Sequence, residues 1–126
     1  MLDTPVLLVI FNRPKLTEKA LKAIEKVKPR RLFIAADGPR PDHPDDADLC
    51  IRARKIATNI SWNCDISTLF HENNLGCARG VASAIDWFFK NVKQGIILED
   101  DCIPNLSFFK FCEELLTYYH NQPNEN

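Results

Sequence analysis

Val6-Leu7-Leu8-Val9-Ile10 and Leu32-Phe33-Ile34-Ala35-Ala36 are two runs without a single polar side chain. A strand with one face in water alternates, so an unbroken aliphatic run demands cover on both faces. Each run stops at turn chemistry, Asn12-Arg13-Pro14 after the first and Asp37-Gly38-Pro39 after the second. Each is followed by a helical pattern. Leu16, Ala20, Ile24 and Val27 recur at helical spacing before Pro29, and Leu49, Ala53, Ile56, Ala57 and Ile60 mark a second helix. The proline-rich, acidic stretch 40–48 between strand and helix reads as a solvated loop.

The unit repeats twice more. A weaker strand is expected over 65–70, and a helix from about Cys77 to Asn91 carries Val81, Ala84, Ile85 and Phe88 on one face. Gly95-Ile96-Ile97-Leu98 forms a fourth strand, and a fourth helix after Pro104 presents Phe108, Cys112, Leu115, Leu116 and Tyr119. Four strands each followed by a helix predict an α/β fold, a Rossmann-like parallel sheet with helices on both faces. One domain is expected over residues 1–120, with a polar tail at 121–126. The paired aromatics Phe88-Phe89 and Phe108-Phe109 with Phe111 read as core or as an uncovered face.

Composition excludes several functions. Sixteen Lys and Arg against 17 Asp and Glu leave a formal net charge of −1, without the basic surplus that a general nucleic-acid binder uses to displace counterions. The apolar stretch 5–10 is far too short to span a membrane and has no basic start of a secretion signal, so no integral membrane segment is expected. Five cysteines, an odd number with no C-x-x-C pair, read as reduced and mostly buried thiols of a cytoplasmic protein.

In parallel sheets of this kind ligands bind beyond the carboxyl ends of the strands, where strand order reverses. The residues collected there are Asn12 and Arg13, then Asp37 and Gly38, then His71, Glu72, Asn73 and Asn74, and finally Glu99, Asp100 and Asp101. Strand-to-helix loops are polar in any case, and one acid there can cap the next helix. Three adjacent carboxylates, with no basic residue nearer in sequence than Lys93 and Lys110, exceed what a cap needs and call for a counter-cation. Hard oxygen donors suit Mn²⁺ or Mg²⁺ shared with a bound diphosphate. Asp37 at its tight turn could accept hydrogen bonds from a base or ribose. Arg79, on a helix opened by Gly76 and Gly80, could pair with phosphate, although neither a Walker lysine nor G-x-G-x-x-G spacing is present.

Four ordered stretches carry a family resemblance: PVLLVIFNRP at 5–14, the strand ending in Asp37-Gly38, NNLGCARGVASAIDWFF at 73–89 and IILEDDCIPNLSFFKFCEEL at 96–115. Together they resemble the nucleotide-binding half of GT-A glycosyltransferases, in the branch of N-acetylglucosaminyltransferase I and related bacterial sugar transferases. The resemblance implies an inverting, metal-dependent transferase that takes a sugar from a nucleotide-diphosphate sugar, a UDP-sugar, to an acceptor that the sequence does not identify. It implies nucleotide contact by Arg13, a bond from Asp37 to uracil or ribose, and Arg79 near the diphosphate. It also implies Glu99 at the donor sugar, Asp100 at the ribose and Asp101 on the metal. Family members run to about twice this length and carry the general base in a second half, so no residue here is matched to the base. The expectation is a donor-binding half that looks truncated before the acceptor site, as a natural short form, as a fragment or as a part completed by a partner, with an open sheet edge prone to self-association. The alternative is a non-catalytic module that holds a nucleotide sugar.

Overall fold

A computed structural model of the chain describes residues 1–102 and 104–120; the expected polar tail at 121–126 lies outside them. The elements run β1 (Val6–Ile10), α1 (Pro14–Glu25), β2 (Arg31–Ala36), α2 (Asp46–Thr58), β3 (Asp65–Phe70), α3 (Cys77–Asn91), β4 (Ile96–Glu99) and α4 (Leu106–His120). All strand pairings are parallel, and the order across the sheet is β3-β2-β1-β4. This is the expected Rossmann-like architecture of four βα units.

The register shows why unbroken aliphatic runs were needed. Val6, Leu8 and Ile10 align with Leu32, Ile34 and Ala36 on one face of the sheet. Ala20 and Ile24 of α1, Ala53 and Ala57 of α2 and Phe109 of α4 pack on that face. On the other face Leu7, Phe33 and Ala35 meet Ala84 and Phe88 of α3, with Phe33 and Phe88 edge-on at 5.0 Å. Burying an aromatic or large aliphatic side chain completely is worth about 1.5–3 kcal/mol, so both faces of β1 and β2 contribute. β3, at one edge, is exposed over its first four residues, in keeping with its weaker sequence signal.

Local chemistry sets the element ends. Pro14 opens α1, where the missing amide hydrogen costs nothing. Lys28, with φ of 47°, turns the chain after α1. Trp62 is buried and donates its indole N–H to the Pro29 carbonyl at 2.9 Å, securing the return to β3.

Three expectations are corrected. The 40–48 segment is not simply a solvated loop: α2 begins at Asp46, and that carboxylate is buried because Arg40 and Asn12 bond it. The thiols are not mostly buried: Cys50 is, Cys64 and Cys112 are half-buried, and Cys77 and Cys102 are exposed. The face expected of α4 is not the buried one: Phe109 is buried, whereas Phe108, Leu115 and Tyr119 of the expected face are exposed, as are Leu106, Phe111 and Tyr118. Among the described residues no helix is long and apolar enough to cross a membrane.

Candidate functional site at the β1–β4 switch point

From β1 the chain goes to β2 and β3 on one side, then returns to add β4 on the other side of β1. The loops after β1 and β4 therefore leave the sheet in diverging directions and open a crevice between them. A cleft of about 280 Å³ lies there, with Val9, Ile10, Ala35 and Ala36 at its base. Polar side chains reach it from all four strand ends: Arg13, Asp37 and Arg40, His71 and Asn74, and Glu99 with Asp100.

The acidic triplet does not act as one cluster. The Cys102 amide bonds the Glu99 carbonyl at 3.0 Å, which makes 99–102 a turn and sends successive side chains in different directions. Asp100 points inward and is 2% exposed, while Glu99 and Asp101 are exposed. Of these three carboxylates, Glu99 and Asp100 line the cleft and Asp101 lies outside its lining.

Arg13, at the N-cap of α1, donates from Nη2 to Asp100 Oδ1 at 2.9 Å. The counter-cation that no sequence neighbour supplies thus comes from 87 residues away. Burial pushes the Asp100 carboxyl pKa up, Arg13 opposes that shift, and Asp101 and Glu99 add to it. Asp100 Oδ2 is buried and has no hydrogen-bond partner among the described residues.

Asp37 is committed differently from the sequence expectation. Its Oδ1 accepts from the amides of Gly38 and Leu75, both at 2.8 Å, and its Oδ2 from the Gly76 amide and Asn74 Nδ2, both at 3.1 Å. Three charge-assisted bonds fold the 73–76 loop onto the end of β2, and the Gly38 bond shapes the turn itself. Gly38 is required by this closure, since a Cβ there would lie 2.5 Å from the Asn73 carbonyl carbon. Gly76 has φ of 88°, a conformation that a side chain would strain. Arg54 Nη2 bridges the same strand ends by donating to the carbonyls of Asp37 and His71 at 3.1 and 2.7 Å.

Of the sequence-predicted residues, Arg13, Asp37, Glu99 and Asp100 come together at the cleft. Arg79 does not line it; it is exposed on α3 and makes no salt bridge among the described residues. Sequence reasoning missed Arg40. His71 was noted at the rim but given no role, and its Nε2 is buried without a partner in the cleft wall. The strand-end rule that selected Asp37 also selects His71, which follows Phe70 directly. Arg40 gave no signal in sequence because its partner Asp46 lies across a folded loop.

Among the described residues no group of three His, Cys, Asp or Glu converges to hold a metal unaided. Mg²⁺ and Mn²⁺ sites that share a nucleotide diphosphate need only one or two carboxylates, the phosphates supplying other oxygens. The exposed carboxylates Glu99, in the cleft lining, and Asp101, outside it, are each free to meet that smaller demand. The cleft side chains Arg13 and Arg40 against Asp37, Glu99 and Asp100 sum to 2 − 3 = −1, so an anionic ligand would require a cation with it.

The fold and site define the class: a Rossmann-like α/β protein with a polar-rimmed cleft at its topological switch point. No family model, curated protein or solved structure matches this chain.

Proposed function

We propose that this chain is the donor-binding part of an inverting, metal-dependent glycosyltransferase that takes a sugar from a nucleotide-diphosphate sugar, a UDP-sugar, to an acceptor hydroxyl. The observation that carries this reading is the pairing of half-exposed Arg13 with buried Asp100 at the switch point, in a turn that also carries the exposed carboxylates Glu99 and Asp101. At about 280 Å³ the cleft sits just under the roughly 300–1,000 Å³ of drug-sized ligand pockets, room for a nucleoside but not for a whole nucleotide sugar. The diphosphate and sugar would then extend over the acidic rim.

In this reading Arg13, fixed by Asp100, offers its remaining N–H groups to the diphosphate. Asp101 would hold Mn²⁺ or Mg²⁺, whose chemistry there is to neutralise charge on the departing diphosphate. Asp37 serves by shaping the loop that walls the nucleoside. Glu99 faces the position of the donor sugar. Titration calorimetry of UDP into the purified protein, with and without Mn²⁺, tests the proposal. Metal-dependent binding is expected, and a folded sample that binds no UDP under either condition overturns it.

A second reading is favoured by one observation. Leu106, Phe108, Phe111, Leu115, Tyr118 and Tyr119 are exposed on α4, more apolar surface than a helix of a self-sufficient domain ordinarily shows. This suits a nucleotide-sugar-binding module completed by another segment or chain. Hydrolysis or transfer of a UDP-sugar by the purified chain would count against a purely non-catalytic role.

A further inference from the structure

We infer that Arg40 is a specificity-determining residue that recognises the nucleobase, and that Asp46 is the positioning residue that holds it in place. This rests on the nucleotide reading above and deepens it, because it assigns the base contact to a residue outside the acidic motif.

The argument begins with what Asp37 cannot offer. Its two oxygens accept four bonds from the 73–76 loop and from Gly38, which uses the acceptor capacity of a carboxylate. A base entering the cleft must look elsewhere for partners. Arg40 and Phe11 both line the cleft, with the guanidinium 5.6 Å from the ring centroid. The guanidinium thus lies over the Phe11 ring, at the same cleft that the small residues Ala35, Ala36 and Gly80 line. The ring steadies the cation, while the guanidinium N–H groups point outward within their own plane.

The guanidinium is held by a network that leaves it capacity to spare. Its Nε and Nη2 donate to Asp46 Oδ2 and Oδ1 at 2.7 and 3.0 Å. The Arg40 amide donates to Oδ2 at 3.1 Å and Asn12 Nδ2 to Oδ1 at 2.9 Å, so Asp46 is saturated as well as 97% excluded from solvent at its side chain. Of the five guanidinium N–H groups, two are spent on Asp46, and among the described residues no other acceptor engages the rest. A planar donor, pinned along one edge and 39% exposed, is pre-organised to meet a keto oxygen. Fixing it before binding removes the entropy that a free arginine side chain would lose. Uracil presents keto oxygens that match a donor-only side chain.

The test compares UDP with inorganic pyrophosphate, each titrated with Mn²⁺ into the full chain and into Arg40→Ala, Arg40→Lys and Asp46→Asn. Arg40→Ala is expected to weaken UDP by about tenfold or more, in line with loss of one charged hydrogen-bond donor, and to leave pyrophosphate unchanged. Arg40→Lys, which keeps the charge but not the plane, should fall with Arg40→Ala, and Asp46→Asn should lie between it and the wild type. Saturation-transfer NMR on bound UDP gives a readout that a merely structural role would not move: uracil H5 and H6 should lose saturation relative to the ribose protons in Arg40→Ala. Equal UDP affinity in wild type and a folded Arg40→Ala overturns the assignment while leaving the donor-site reading intact. Parallel loss of UDP and pyrophosphate makes Arg40 a phosphate ligand and overturns it too. A folded wild type that binds neither UDP nor pyrophosphate overturns the donor-site reading, and this inference with it.

Discussion

Arg13 Nη2 and Asp100 Oδ1 stand 2.9 Å apart and join the loop after β1 to the turn after β4. The pair spans the point where the sheet's connectivity reverses. Its two members are unequal, since the Asp100 side chain is 2% exposed and the Arg13 side chain 50%. The carboxylate therefore depends on the arginine more than the arginine depends on it.

That asymmetry predicts an uneven mutant cycle. Arg13→Met leaves a buried carboxylate without its cation and should destabilise the fold by about 2 kcal/mol, less than the roughly 3–5 of a fully buried pair because Arg13 is half in water. Adding Asp100→Asn should recover a large part of that loss. Urea unfolding of the two single variants and the double variant measures the coupling, and strict additivity would show that the contact carries none.

The Asp37 carboxylate closes the 73–76 loop, so its removal should loosen that loop before anything else. Asp37→Ala is expected to cost roughly 2–4 kcal/mol, through several charge-assisted bonds lost at once. Hydrogen exchange at the amides of Leu75 and Gly76 should accelerate beyond the global change. Unaltered protection there would mean that the loop is held by other contacts.

Asp101 carries the metal prediction. Asp101→Ala should abolish the Mn²⁺-dependent part of UDP binding while the melting temperature stays near that of the wild type, since the side chain is exposed. Tight, metal-dependent binding by that variant would remove Asp101 from the ligand role.

The Arg40 bond, reinforced by Asn12, holds the Asp46 carboxyl pKa well below the usual carboxylate range. A folded-state pKa below the unfolded value means that the unfolded chain binds the proton more tightly. The contribution to stability is therefore complete above the unfolded value of about 3.9 and is lost as pH falls below it. Wild-type unfolding free energy should drop between about pH 5 and pH 2 more steeply than that of Asp46→Asn. Parallel profiles would place the acid sensitivity elsewhere.

Helix α4 predicts a contrast between near neighbours. Phe109→Ala should cost about 3–5 kcal/mol, as for a buried aromatic. Phe111→Ser, at a residue 61% exposed, should change stability by no more than about 0.5 kcal/mol. A large loss at Phe111 in the isolated chain would show that the helix seats more deeply than the described contacts indicate.

Every strand was legible in the sequence to within a residue or so, because an unbroken apolar run and a turn-forming stop are local properties of the chain. β1 and β3 fall where the pattern places them, and β4 is shifted by one residue at each end. Helix periodicity found all four helices, but not where α2 begins. Its first residue, Asp46, belongs to the turn chemistry of the loop and is also the buried partner of half-exposed Arg40, an ion pair that no local pattern encodes. The α4 aromatics show the same limit: hydrophobicity does not tell Phe109 from Phe111, whereas their directions around the helix do.

The sequence by itself determined the α/β alternation, the parallel sheet covered on both faces, and the rim on which polar side chains collect, because each follows from spacing along the chain. Only the tertiary structure decided which of those side chains face one another. It turned Asp100 in toward Arg13 and Asp101 out, spent Asp37 on a loop, left Arg79 outside the cleft and brought Arg40 into it. Strand order and turn geometry set those directions, and contacts formed across 34 to 87 residues of intervening chain leave no periodic trace in the sequence.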